Sequence, residues 1–182
     1  NFGFDLCTRR ITDARMEGID LGTLRFLGNG SEPVLASTIT RFIDRFAPYG
    51  FTRDKILTGY GLAENVVLAT TTTPGYAPRV DWISTQSMQD ERLARPVASD
   101  ASGASSFVSC GQPIEGHELQ IVDDHGKALP DRSIGEVVLR SQTVFSGYHN
   151  RPDLTIDALR DGWLYTGDLG YVSEGELYIT AR

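Results

Sequence analysis

The sequence predicts an α/β fold: part of an open, mostly parallel sheet with helices, followed by a small β-rich subdomain of distorted-barrel type. Three observations predict it. Two strand–glycine-turn units frame an amphipathic helix in the first third of the chain. After Gly111 the apolar period becomes two. Short turns such as Asp124-His125-Gly126 and Glu174-Gly175 punctuate that second stretch. The 182 residues suffice for one ordinary domain or two small ones, and a chain of this size buries about two thirds of its unfolded surface.

Residues 1–11 alternate apolar and basic groups at helical spacing, and Phe2, Leu6, Arg9 and Arg10 predict a short amphipathic helix. Thr23–Leu27 reads as a brief buried strand entering the polar turn Gly28-Asn29-Gly30-Ser31-Glu32. Pro33 suits the first turn of a helix, where a missing N–H leaves no bond unmade. Leu35, Ile39, Phe42, Ile43 and Phe46 then form one buried face, and Gly50 supplies the stop. A second strand, Lys55–Leu57, leads into Thr58-Gly59-Tyr60-Gly61. In open sheets ligands sit at the carboxyl ends of strands, where both glycine turns fall.

From Pro74 to Ser106 the period collapses, and only Val80–Ile83 reads as a strand. The segment of about 77–107 fits either a disordered linker or an inserted excursion carrying its own hairpin. Beyond Gly111, His117–Val122, Gly135–Arg140, Asp168–Val172 and Glu176–Thr180 are predicted strands. Asn150–Arg160 is a predicted helix with Pro152 in its first turn. The organisation is therefore residues 1–107 as an α/β portion with the insertion, and 108–182 as the β-rich subdomain.

Composition excludes several classes. Apolar residues make up 40% with no long uncharged run, so no membrane span is expected. The net charge of −7 without a Lys/Arg cluster argues against a nucleic-acid surface. Cys7 and Cys110 lie far apart, with no spacing of a zinc or redox pair, and read as two thiols in a reducing, cytoplasmic compartment. The chain has no initiating Met or leader and stops on the strand-like Tyr178-Ile179-Thr180-Ala181-Arg182, so a piece of something longer is expected.

Four segments carry chemistry. In Thr58-Gly59-Tyr60-Gly61-Leu62-Ala63-Glu64, glycines on both sides of a tyrosine let backbone approach a flat ligand while the ring offers a stacking face. The Glu64 carboxylate suits a hard cation such as Mg²⁺. Gly28–Pro33 is a strand-to-helix turn, and a helix start also receives anions. Gly135-Glu136-Val137 through Phe145-Ser146-Gly147-Tyr148-His149-Asn150-Arg151-Pro152 reads as strand, loop and proline-started helix. Finally, Asp161-Gly162-Trp163-Leu164-Tyr165-Thr166-Gly167-Asp168-Leu169-Gly170 places an aspartate at a glycine-flanked strand start, where a carboxylate can accept from ribose hydroxyls or merely cap its own turn.

In this order and spacing the four segments resemble the adenylate-forming superfamily: acyl-CoA synthetases, firefly luciferase and the adenylation domains of peptide synthetases. The resemblance covers nearly the whole chain apart from residues 77–107. It implies that Tyr60 stacks on adenine, that Glu64 binds magnesium and serves the catalysis, and that backbone at Gly30, Ser31 and Glu32 covers the other adenine face. It implies Asp168 on the ribose hydroxyls, Arg182 near the same sugar, Ile179 or Thr180 near the nucleotide, and Gly61, Leu62 and Ala63 along its path. The glycines at 28, 59 and 61 are expected to permit close approach. ATP and Mg²⁺ are the implied cofactors, and Arg182 marks the hinge to a C-terminal domain missing from this chain.

Departures sharpen the resemblance. Ala63 stands where most members carry Thr, and Ala181 where many carry Gly. Gly-Leu-Ala-Glu, Gly-Ser-Glu-Pro-Val and the opening Asn-Phe-Gly-Phe-Asp-Leu-Cys are similar to the fatty acyl-AMP ligase branch. That branch carries an insertion near residues 77–107, associated with poor use of CoA and transfer to the phosphopantetheine of an acyl carrier protein or a polyketide synthase carrier domain. The family's lysine-ended phosphate loop is absent. Thr70-Thr71-Thr72-Thr73-Pro74-Gly75 imitates its composition without a lysine, and Lys55 and Lys127 are the only lysines. Adenylation depends on positioning and cationic stabilisation, so the piece alone is expected to be inactive. The expected function is fatty acid activation to acyl-AMP and pyrophosphate. An ordinary acyl-CoA synthetase and a degenerate, non-catalytic binding module are the rival readings.

Overall fold

In the computed structural model, which describes residues 1–182, helix α1 (Phe2–Arg10) packs on helix α2 (Ala36–Phe46) through aromatic side chains. The Phe4 and Phe42 ring centroids lie 4.4 Å apart, with Phe46 tilted against Phe42 at 4.6 Å and Phe51 edge-on to it at 5.2 Å. Ile39, Ile56 and Val108 complete this core. On α1 the buried side chain is Phe4 at 7% exposure, whereas Phe2 and Leu6 are exposed. The expected amphipathic helix is present with its apolar face turned away from the predicted one, because α2 meets α1 at Phe4. Leu35 is likewise exposed: its backbone is still extended, and α2 starts after it, so Pro33 precedes the helix instead of sitting in its first turn. A 3₁₀ turn, Ala47–Tyr49, extends α2 to Gly50, whose φ of 85° ends it as expected.

Strand β1 (Leu27–Asn29) runs parallel to β2 (Ile56–Tyr60), in register from Leu27↔Ile56 to Asn29↔Thr58. The predicted strand at Thr23–Leu27 thus lies further along: Leu21–Thr23 is a 3₁₀ turn, Leu24 and Phe26 are exposed, and pairing begins only at Leu27. Strand β3 (Thr70–Thr71) adds antiparallel to β2. The threonine run therefore begins as sheet: Thr70 Oγ1 donates to the Cys110 carbonyl at 2.7 Å, and just past the strand Thr72 Oγ1 accepts from the Thr58 N–H at 2.9 Å.

Residues 77–107 form a packed excursion. Strand β4 (Val80–Ser84), helix α3 (Thr85–Glu91) and strand β5 (Ala104–Val108) make an antiparallel hairpin, in register from Val80↔Val108 to Ser84↔Ala104. Ser84 Oγ caps α3 by accepting from Ser87 N–H at 3.2 Å. Ile83 and Ala94 pack on Ile134, Tyr171 and Tyr178. Asp81 pairs with Arg132 at 3.0 Å and accepts from Tyr171 Oη at 2.8 Å.

Strand β6 (Gln112–Pro113) returns to pair with β3. Then β7 (His117–Val122), β8 (Gly135–Ser141), β10 (Trp163–Ser173) and β11 (Glu176–Ala181) build the antiparallel sheet, in the order β11-β10-β8-β7. Helix α4 (Pro152–Ala158) is shorter than the predicted Asn150–Arg160, because Leu159–Arg160 leave it as β9 to pair with Trp163 and Leu164. Strand β10 begins five residues before the predicted Asp168 and changes register against β8 between Tyr165 and Leu169. Such irregularities re-aim side chains near functional sites. The chain is a mixed α/β fold whose parallel pairing is confined to β1 and β2.

Candidate functional site

Both glycine turns open onto one cleft of about 520 Å³, walled by Gly30 and Ser31 after β1, by Tyr60 at the end of β2 and by Gly61, Leu62 and Ala63 after it. Gly61 is required by its own chain: a Cβ there would sit 1.7 Å from the Val67 carbonyl oxygen. At Gly59 a Cβ would meet the Thr70 carbonyl at 2.8 Å, whereas at Gly28 it would meet nothing within 4 Å. Neighbouring backbone thus leaves no room for a side chain at 59 and 61, and the protein itself leaves room at 28. Ser31 holds a left-handed backbone at φ 65°, which turns the chain sharply after Gly30. The Glu32 side chain accepts from the Phe2 N–H and is not part of the cleft wall.

Tyr60, which lines the cleft, reaches Asp168, 108 positions away in sequence and outside the cleft wall. Tyr60 Oη donates to Asp168 Oδ2 at 2.6 Å. Burial, and then the bond to the Asp168 carboxylate, push the Tyr60 phenol well above its ordinary range, so it remains a donor. Asp168 is 7% exposed, and its own N–H donates to Thr166 Oγ1 at 3.1 Å. Gly167 N–H donates to Glu136 Oε1 at 2.9 Å, which fixes the bulged stretch of β10. Arg182 Nε stands 3.6 Å from Asp168 Oδ1, its side chain otherwise exposed. Ile179 is half-buried on β11 against the cluster of Cys110, Val137 and Leu177.

Glu64 lies just past the cleft-lining Ala63, in the 3₁₀ turn Ala63–Asn65. Its Oε1 accepts from Tyr148 Oη at 2.7 Å, and its carbonyl from the Phe145 N–H at 2.8 Å. Sequence reasoning quoted Tyr148 within a motif but gave it no role; the Gly-Tyr step in a loop was the available signal. Asn65, 1% exposed, also escaped notice: its Oδ1 accepts from Ser141 and Thr143 hydroxyls at 2.7 and 3.1 Å. Lys55 is engaged elsewhere, donating to the Gly22 and Leu24 carbonyls.

The chemistry of this arrangement is that of a polar ligand with a flat part. Glycine backbone and the Tyr60 ring flank the cleft, a buried carboxylate suits vicinal hydroxyls, and a second, half-buried carboxylate suits a cation. No group of three or more His, Cys, Asp or Glu side chains gathers to hold a metal. A lone Glu64 fits Mg²⁺, which takes one or two carboxylates and completes its octahedron with waters and substrate phosphates.

Residues 4–149 match the AMP-binding enzyme family, and the chain belongs to it. A 4-hydroxyphenylalkanoate adenylyltransferase of Mycobacterium marinum is 40% identical over all of this chain and 31% of its own length. A putative fatty-acid–CoA ligase of Mycobacterium tuberculosis is 37% identical over all of this chain and 33% of its length. A medium-chain-fatty-acid–[acyl-carrier-protein] ligase of Moorena producens is 34% identical over all of this chain and 32% of its length. The fatty acyl-adenylate ligase of Legionella pneumophila, solved with acyl adenylate and pyrophosphate, superimposes with a TM-score of 0.92 at 34% identity, covering all of this chain and 33% of that one. The chain spans about a third of the length of the curated relatives it matches.

Proposed function

We propose that this chain supplies the nucleotide cleft of an ATP-dependent fatty acid-adenylating enzyme. The observation that carries the reading is the bond from Tyr60, in the wall of the glycine-lined cleft, to the buried Asp168, with Glu64 one residue past the cleft-lining Ala63. In the reaction a carboxylate oxygen of the fatty acid bonds to the α-phosphorus of ATP while the bond to pyrophosphate breaks. A phosphopantetheine thiol then gives up its proton, its sulfur bonds to the acyl carbon, and AMP leaves.

Within that scheme Tyr60 stacks on adenine, opposite backbone from Gly30 to Glu32, while Leu62 and Ala63 line its edge. Asp168 accepts from the ribose hydroxyls through Oδ1, which takes no hydrogen bond from the protein, and Arg182 stands by the same sugar. Ile179 packs close to the nucleotide. Glu64 holds Mg²⁺, which neutralises charge on the phosphates when bound. Residues 1–107 and 108–182 act as the α/β and β-rich parts, and the protein works in the cytoplasm.

For the acceptor we favour an acyl carrier protein or a polyketide synthase carrier domain. The packed hairpin at 77–107 supports this, since a loose linker would have favoured CoA. The test gives the intact gene product ATP and a panel of fatty acids, offers CoA or a holo carrier protein, and weighs the product. Acyl-AMP that accumulates with CoA and clears only onto the carrier supports the reading. Ready formation of acyl-CoA makes it a synthetase, and no adenylate with any acid overturns the activity itself.

A further inference from the structure

The motif from Gly135 to Pro152 is not absorbed by the nucleotide reading, and its distal loop rests on the turn that carries Glu64. Two of its groups bind Glu64 itself: Tyr148 Oη reaches the carboxylate at Oε1 (2.7 Å), and the Phe145 N–H reaches the carbonyl (2.8 Å). The two rings stand edge-on, with centroids 4.7 Å apart at 73°. Thr155 Oγ1 on α4 accepts from the Tyr148 N–H at 2.9 Å and so fixes where the phenol begins. The buried Asn65 next door takes the Ser141 and Thr143 hydroxyls, which fastens the near end of the same loop. Glu64 Oε2 accepts nothing from the protein.

A half-buried glutamate still samples several rotamers when unheld, and one held oxygen leaves the other aimed in a defined direction. We propose that Tyr148 is a positioning residue for Glu64, holding Oε1 so that Oε2 is presented to the divalent cation that arrives with the nucleotide phosphates. The proposal rests on Glu64 being the cation ligand. Hydrogen bonds to a ligating carboxylate are typically worth about 10–100-fold in metal affinity.

The experiment uses the intact gene product with Mn²⁺ as a paramagnetic probe and a non-hydrolysable ATP analogue, reading cation affinity by electron paramagnetic resonance. Tyr148→Phe keeps the ring on Phe145 and removes the hydroxyl. The expected result is a Mn²⁺ dissociation constant raised about tenfold or more, with the melting temperature and the fatty acid KM unmoved. Unchanged Mn²⁺ affinity overturns the proposal. Thr155→Val loosens the loop without touching Glu64; if it weakens the cation as much as Tyr148→Phe does, the phenol has no specific role and the proposal falls. Glu64→Gln separates the two layers. If it leaves Mn²⁺ affinity intact, the metal assignment fails and the proposal with it. If it weakens Mn²⁺ while Tyr148→Phe does not, only the positioning role is lost.

Discussion

Asp168 has its two carboxylate oxygens in different circumstances: Oδ2 is occupied by the Tyr60 hydroxyl, while Oδ1 has only the guanidinium of Arg182 at 3.6 Å. On the proposed reading, Asp168→Ala in the intact gene product removes a charged hydrogen-bond acceptor worth about 1.5–3 kcal/mol, so the KM for ATP rises about tenfold or more. Steady-state kinetics against ATP check this, and an unchanged KM removes Asp168 from the sugar. The two cysteines also separate at this scale. Burial pushes the Cys110 thiol up to about 11, whereas Cys7 is half-buried. Alkylation at pH 8 should modify Cys7 first and leave Cys110 protected in the folded protein, as read by mass spectrometry. The raised thiol has a stability consequence with a definite sign. The folded state holds that proton more tightly, so the contribution is complete below the ordinary value of 9.0 and is lost as pH climbs to about 11. Urea midpoints measured from pH 8 to 11 should fall across that window.

At the scale of elements, the β4–α3–β5 hairpin is fastened by one polar cluster as well as by apolar packing. Asp81 takes the guanidinium of Arg132 and the hydroxyl of Tyr171, and Arg132 also donates to the Ala94 carbonyl at 2.9 Å. Burial, and then Asp81, raise the Tyr171 phenol well above its ordinary range, so it too remains a donor. Asp81→Ala leaves Arg132 partly buried without its partner. The expected cost is about 1–3 kcal/mol, discounted from a fully buried pair because Arg132 keeps some solvent contact. Hydrogen exchange should quicken first in β4 and β5, and equal acceleration throughout the protein would mean that the cluster is not local to the hairpin. Elements were legible in the sequence where the period was long. Ile39, Phe42 and Phe46 gave α2, and β7, β8 and β11 appeared almost to the residue. The misplacements have physical causes. Phe2 and Phe4 both sit on α1, and only the approach of α2 selects Phe4. Strand β1 is three residues long, too short for a period, and its limits come from pairing with Ile56. The hairpin at 77–107 was ambiguous because its register is set by a partner strand some twenty residues away, which local patterning does not encode.

For the whole molecule, the candidate site was legible as segments and not as a geometry. Tyr60, Glu64 and Asp168 stood out through their glycine-rich settings, yet their mutual positions follow from a sheet-to-sheet arrangement that spans 108 positions. Tyr148 was invisible as a partner of Glu64, since a separation of 84 positions carries no local pattern. On the proposed function, deleting the hairpin between residues 77 and 107 in the intact gene product should raise CoA acylation relative to carrier acylation while adenylate formation persists. Competition between the two acceptors in one reaction measures it, and an unaltered ratio would uncouple the hairpin from acceptor choice.

Strand β10 has a consequence that reaches beyond either end of it. Even-numbered residues point inward as far as Gly170, and from Tyr171 onward the odd-numbered ones do. A pleated strand in constant phase would send Asp168 and Tyr171 to opposite faces. The slip between Leu169 and Gly170 on the β11 side lets the same strand bury both. One is tied to Tyr60 in the cleft and the other to Asp81 in the hairpin. Cleft and hairpin are therefore geared to a common shaft, and a displacement of β10 along its axis cannot loosen one without being felt by the other.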